Sequence, residues 1–156
     1  MIITTMRQRL FFIIASLMML AHATKTEACT GITLKSMDGR TVVARTIEWG
    51  GSSLESSYVI VPRGYTHSSY INGQKDGMQF KARYGYVGMA VETEENVTEG
   101  LNEAGLSAGL FYFPHYGMYE KFDPSNRHTT IGDLQVVAWI LSNFKTIDEV
   151  KESIRN

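Results

Sequence analysis

The chain has little of what several function classes require. One cysteine, Cys29, stands in 156 residues, so no internal disulfide can form. The Lys and Arg residues are scattered singly, without the basic patch or stripe that binding to nucleic acid calls for. The four histidines, His22, His67, His115 and His128, show no metal-ligand spacing, so neither a metal site nor another cofactor is expected. Past residue 21 no apolar run approaches the roughly 20 residues that cross a bilayer, and an integral membrane span is not expected. Internal repeats and low-complexity tracts are absent as well.

What is present begins at the N-terminus. Arg7 and Arg9 precede an almost unbroken apolar run from Leu10 to Ala21, followed by polar and small residues. This is the layout of a secretory signal, with Ala21-His22-Ala23 and Ala28 as alternative cleavage points. Residues 1–28 are therefore expected to be a signal peptide, with 24–28 a short pro-segment if the earlier cut is used. The mature protein is expected to be exported, to the periplasm or beyond the cell. Removing Arg7, Arg9, Lys25 and Glu27 takes the formal charge from −1 to −3.

A lone cysteine in an exported protein has three readings. It is a small buried hydrophobe, a lipid attachment point, or the first residue of the mature chain, whose own α-amino group serves its thiol as base. The lipid reading fits poorly, because Thr26-Glu27-Ala28 separates the cysteine from the apolar run.

From Cys29 the chain reads "CTGITLKSMDGRTVVARTIEWG", two β-rich runs about Asp38-Gly39, a strong hairpin signal. With Asp38 and Gly39 as a two-residue turn, Cys29 falls opposite Glu48. Arg45 then falls opposite Ile32 and on the other face of the ribbon, unless a bulge re-aims it. Further strands are expected at 57–62, 78–82, 85–92 and 106–113, after 30–35 and 41–48 in the hairpin. Asn102 reads as part of a tight connection, with the strand resuming at Leu106. Helices follow at 130–144, where an apolar stripe has helical spacing, and from Thr146 to about 154, opened by a Thr146/Glu149 capping box. Asn96-Val97-Thr98 is a glycosylation sequon, of consequence only in a eukaryotic host. The fold class expected is α+β.

The blocks "CTGITL", "DGRTVVARTIEW", "YVIVPRG" (58–64), "EGLNEAGLSAGLFYFP" (99–114) and "NFKTIDEVKESI" (143–154), in that order, resemble the choloylglycine hydrolases and penicillin V acylases. These are N-terminal-nucleophile amidases, and the resemblance selects the third reading of Cys29. It implies a partial αββα fold: antiparallel sheets carrying an N-terminal Cys hairpin, with two helices at the C-terminal end. Residues 29–156 would be the N-terminal part of such a domain, the rest lying in a continuing frame or a partner chain.

By the same resemblance Cys29 is the nucleophile and Arg45 the positive charge beside its sulfur. Glu48 stands where the family has an aspartate that orients the α-amine. Trp49 is implied beside the acyl pocket, with Tyr112, or Phe111 one position earlier, as the variable pocket residue; Asn102 belongs to a structural family motif. The implied partner is a small amphipathic amide such as a conjugated bile salt, penicillin V or an N-acyl homoserine lactone. A homo-oligomer of the full-length protein is left open. The alternative is a catalytically inactive exported member that keeps the scaffold to bind a ligand.

Overall fold

The computed structural model describes residues 29–49, 52–112 and 117–155. The expected signal segment lies outside them. Two compact units divide the chain, the first ending at Glu48 and the second starting at Trp49.

The first unit is an antiparallel hairpin of β1 (Gly31–Lys35) and β2 (Thr41–Arg45), shorter at its C-terminal end than the expected 41–48. Its turn corrects the sequence-based register. Ser36 and Arg40 close the loop through Ser36 N–H to Arg40 O at 2.9 Å, leaving Met37, Asp38 and Gly39 in the loop, with Gly39 at φ 84°. Only glycine adopts that left-handed conformation without steric cost. The Ser36 hydroxyl bridges the loop, accepting the Arg40 N–H at 3.0 Å and donating to the Asp38 carboxylate. A three-residue loop in place of a two-residue one slips the register by one, so Gly31 faces Arg45 and Ile32 faces Ala44.

The second unit is a four-stranded antiparallel sheet with one helix laid on it. Strands β3 (Ser56–Val61), β6 (Tyr86–Val91), β7 (Val97–Asn102) and β8 (Ser107–Gly109) lie in the order β3-β6-β7-β8. A two-stranded ribbon, β4 (Thr66–Ser68) with β5 (Gln79–Lys81), stands apart. Together these are an α+β arrangement of antiparallel sheets and two helices.

Strand β7 was not expected from sequence, because Gly100 and Asn102 read as turn residues. Both residues are required by the helix. Gly100 faces Gly88 on β6, and a Cβ on Gly100 would lie 2.6 Å from Leu141 Cδ1 and 2.6 Å from Val87 O. While Gly88 leaves room for Val97 and Val59, Gly100 is thus a shallow seat in the sheet for Leu141 of helix α1 (Val136–Asn143), which is fully buried. Around it Tyr86, Ala90, Val97, Val137 and Ala138 complete the core. Burying a leucine of this kind stabilises by about 2–3 kcal/mol.

The expected helix at 130–144 is shortened to a 3-10 turn at Asp133–Gln135 followed by α1, after a separate 3-10 turn at Pro124–Thr129. Buried Gln135 explains the break before α1. Its Oε1 accepts from the Ser69 hydroxyl at 2.8 Å and from Tyr70 N–H at 2.7 Å, tying this segment to the β4–β5 ribbon. Helix α2 (Ile147–Arg155) opens as the capping box predicts, with Glu149 N–H donating to Thr146 Oγ1 at 3.2 Å. The Glu149 carboxylate reaches one residue further back, to Lys145 N–H at 2.9 Å.

The face of the sheet away from α1 is apolar and open. Tyr58 is 86% and Ile60 81% exposed, with Val87 and Leu101 beside them in register. Among the described residues no helix is long and apolar enough to cross a membrane.

Candidate active site

The corrected register changes which side chains meet on the hairpin. Side chains alternate along a strand, so a slip of one residue moves a whole set to the other face. In the observed pairing Gly31 and Arg45 are opposite one another, and Cys29, two residues before Gly31, shares their face. Arg45 thus lies on the face of Cys29 and not on the opposite one. No bulge is needed to bring it there.

Burial follows the same alternation. Within the hairpin unit Cys29, Arg45 and Ile47 are half-buried, while the residues between and beyond them are exposed. The ladder continues past the regular strands through Thr46 N–H to Thr30 O at 2.9 Å. The Thr30 N–H turns to the Thr46 hydroxyl at 3.1 Å. Thr46, which sequence reasoning did not single out, therefore closes the open end of the hairpin beside Cys29. A hydroxyl next to a strand-end arginine was the only sequence signal for it.

Extending the register sets Cys29 across from Ile47, one residue short of the expected Glu48. The contact with Glu48 runs through its main chain, the Cys29 thiol donating to Glu48 O at 3.8 Å. Arg45 Nε donates to Thr46 O at 3.2 Å, so its stem leans toward the open end, where Cys29 sits.

The remaining candidates belong to the second unit. Trp49 and Tyr112 meet edge to face, ring centroids 4.9 Å apart at 62°, and both are about half exposed, at 46% and 52%. Such a pair contributes about 0.5–1.5 kcal/mol beyond its area and leaves an aromatic surface to solvent. Phe111 is exposed next to it in sequence. Asn102 is buried and fully engaged. Its Nδ2 donates to Leu141 O at 3.0 Å and Phe144 O at 2.7 Å, and its Oδ1 accepts from Ala104 N–H at 3.1 Å and Leu106 N–H at 3.0 Å. Both ends of its amide are spent on joining the β7–β8 turn to the C-terminus of α1.

A second cluster of polar atoms lies under the β4–β5 ribbon. His67 stacks on Phe80 with centroids 4.7 Å apart, and its Nε2 is buried without a hydrogen-bond partner. Burial, aided by the Lys75 charge, pushes its pKa down to about 4. The Tyr86 hydroxyl is likewise buried and unpartnered, and burial raises its pKa. No group of three or more His, Cys, Asp or Glu among the described residues is placed to hold a metal ion.

The sequence profile of the family described as "Linear amide C-N hydrolases, choloylglycine hydrolase family" matches residues 29–156. Among characterised proteins, the chain is 30% identical over 132 residues to a bile salt hydrolase/transferase of Clostridium perfringens, covering 82% of this chain and 38% of that protein. It is 28% identical over 128 residues to a bile salt hydrolase/transferase of Bifidobacterium longum, covering 82% and 39%. A conjugated bile acid hydrolase of Lactobacillus acidophilus is 23% identical over 128 residues, again covering 82% and 39%. The chain therefore spans less than half the length of these relatives. No solved structure matches it.

Proposed function

The chain belongs to the choloylglycine hydrolase family of linear amide C–N hydrolases, and we propose on that premise that it is the nucleophile-bearing part of an exported cysteine amidase with the N-terminal-nucleophile αββα fold. The observation that carries this reading is that the family match begins at Cys29, the only cysteine in the chain.

In the proposed reaction, removal of the residues before Cys29 frees its α-amine. An α-amine and a thiol ordinarily titrate near 8 and about 8.5, so the one readily holds the other's proton at neutral pH. The sulfur bonds to the acyl carbon of the substrate amide. Collapse of the tetrahedral adduct breaks the C–N bond, and the ammonium returns its proton to the departing amine. The thioester left on Cys29 is then attacked by water. The α-amine takes a proton from that water, the C–S bond breaks and the carboxylic acid departs. Arg45, on the same face of the hairpin, supplies positive charge that favours thiolate over thiol. Glu48 holds the ammonium. The Trp49–Tyr112 pair, with Phe111, offers aromatic surface to an apolar acyl group.

Conjugated bile salts head the candidate substrates, because the relatives above are named as bile salt hydrolases and a conjugated bile acid hydrolase; penicillin V and N-acyl homoserine lactones share the same apolar acyl amide. The test uses protein purified from its own host at its native length, offered this panel. Turnover that is lost by about a thousandfold or more in Cys29→Ser supports the reading. Turnover unchanged in that variant removes it.

One observation favours a second reading, a non-catalytic member that binds amphipathic ligands. Glu48 stands where the resemblance calls for aspartate, and it meets the Cys29 thiol through its carbonyl. On this reading the panel binds without turnover, and Glu48→Asp does not restore any.

A further inference from the structure

The residue facing Arg45 across the hairpin is a glycine. Hydrogen bonds at both ends of the ribbon fix the phase of the ladder: Thr46 N–H to Thr30 O at one end and Ser36 N–H to Arg40 O at the other, each 2.9 Å. Even-numbered residues thus form the hydrogen-bonded pairs, and Gly31–Arg45 is a non-hydrogen-bonded pair. In such pairs the Cα atoms are about 4.5 Å apart and side chains come closest. Any Cβ on residue 31 would therefore stand directly beside the Arg45 stem.

Cys29 is the diagonal neighbour of Arg45 on that face, at a separation of about 7–8 Å that a long side chain spans. The path between them runs between residue 31 and Ile47, so the side chain at position 31 sets its width on one flank. Two observations indicate that Arg45 takes this path: its Nε bonds Thr46 O, on the side of the open end, and Cys29, Arg45 and Ile47 are the hairpin's half-buried residues.

We propose that Gly31 is a positioning residue, whose bare Cα leaves open the lane across which the Arg45 guanidinium reaches the Cys29 sulfur. The proposal rests on the reading of Cys29 as nucleophile and Arg45 as its counter-charge. A methyl at position 31 narrows the lane, and a β-branched side chain fills it and turns the guanidinium toward solvent. Backbone pairing survives either change, because valine suits a strand better than glycine does.

The 156-residue chain carries its own probe, since Cys29 is its single thiol. Iodoacetamide, being uncharged, reports thiolate without being steered by the arginine. Its rate with Cys29 is measured against pH for the parent, Gly31→Ala, Gly31→Val, Arg45→Ala and the double variant Gly31→Val/Arg45→Ala. A tenfold change in thiolate fraction corresponds to one unit along the pH axis. Expected is alkylation at pH 7 slower by about threefold to tenfold in Gly31→Val, approaching Arg45→Ala, with Gly31→Ala between and the double variant no slower than Arg45→Ala. Thr33→Ala, on the same face but beyond Arg45, leaves the profile unchanged.

If Arg45→Ala slows the reaction and Gly31→Val does not, the role of Gly31 is refuted and the charge reading stands. An equal slowing by Gly31→Val in the Arg45→Ala background also refutes it, since the effect then does not pass through the guanidinium. If Arg45→Ala changes nothing, the counter-charge reading falls and the proposal with it.

Discussion

The hairpin and the sheet-and-helix unit are stabilised on different terms. The hairpin carries the nucleophile, the arginine and the glutamate of the proposed chemistry, yet no residue in it is fully buried. Its order comes from a turn and a hydrogen-bonded ladder. The second unit has a closed core around Leu141, a fully bonded Asn102 and a tied-down helix, and its proposed contribution is an aromatic surface. In the first unit register decides which groups meet, so a local change re-aims chemistry. In the second, volume decides, so a local change costs stability.

The largest break expected in this contrast is at the core of the second unit. Leu141→Ala empties the seat at Gly100 and costs about 2–5 kcal/mol, read as a lower urea midpoint. Asn102→Ala follows, leaving helix-end carbonyls and two N–H groups without partners, at a cost of about 2–3 kcal/mol in the same measurement.

A milder effect is expected from His67. Its folded pKa of about 4 lies below the ordinary 6.5, so between those values the unfolded chain binds more protons than the folded one. Stability is complete above about pH 6.5 and declines as the pH falls toward 4; His67→Phe flattens that dependence in urea titrations across the window.

The smallest effect expected is in the hairpin. Gly39→Ala forces a Cβ into a left-handed turn and costs about 1 kcal/mol, seen as faster amide exchange in the β1–β2 ladder.

Much of this fold was legible because local signals agreed with tertiary demands. The capping box at Thr146 and the strands β3, β5 and β6 fall within a residue or two of where their patterns place them. The failures come where a residue serves a distant partner. Gly100 and Asn102 look like turn residues because their reasons, the approach of Leu141 and the open carbonyls of α1, lie some forty positions further along. At the candidate site the residue types and their order were readable from Cys29 to Trp49. The face that Cys29 and Arg45 share was not, since Asp38-Gly39 reads as a two-residue turn while the Ser36 hydroxyl and Gly39 build a three-residue one. That single position separates an Arg45 on the face opposite Cys29 from one on the same face.

On the proposed reading Cys29 is an N-terminal nucleophile that carries the acyl group. The decisive measurement is intact-mass and peptide mass spectrometry of the protein purified from its own host, quenched in acid during incubation with a conjugated bile salt. Expected is a mature chain starting at Cys29, with the first peptide heavier by the mass of the bile acyl group and the increment removed by hydroxylamine. A mature chain starting elsewhere, or substrate consumed while Cys29 stays unmodified, would contradict that reading.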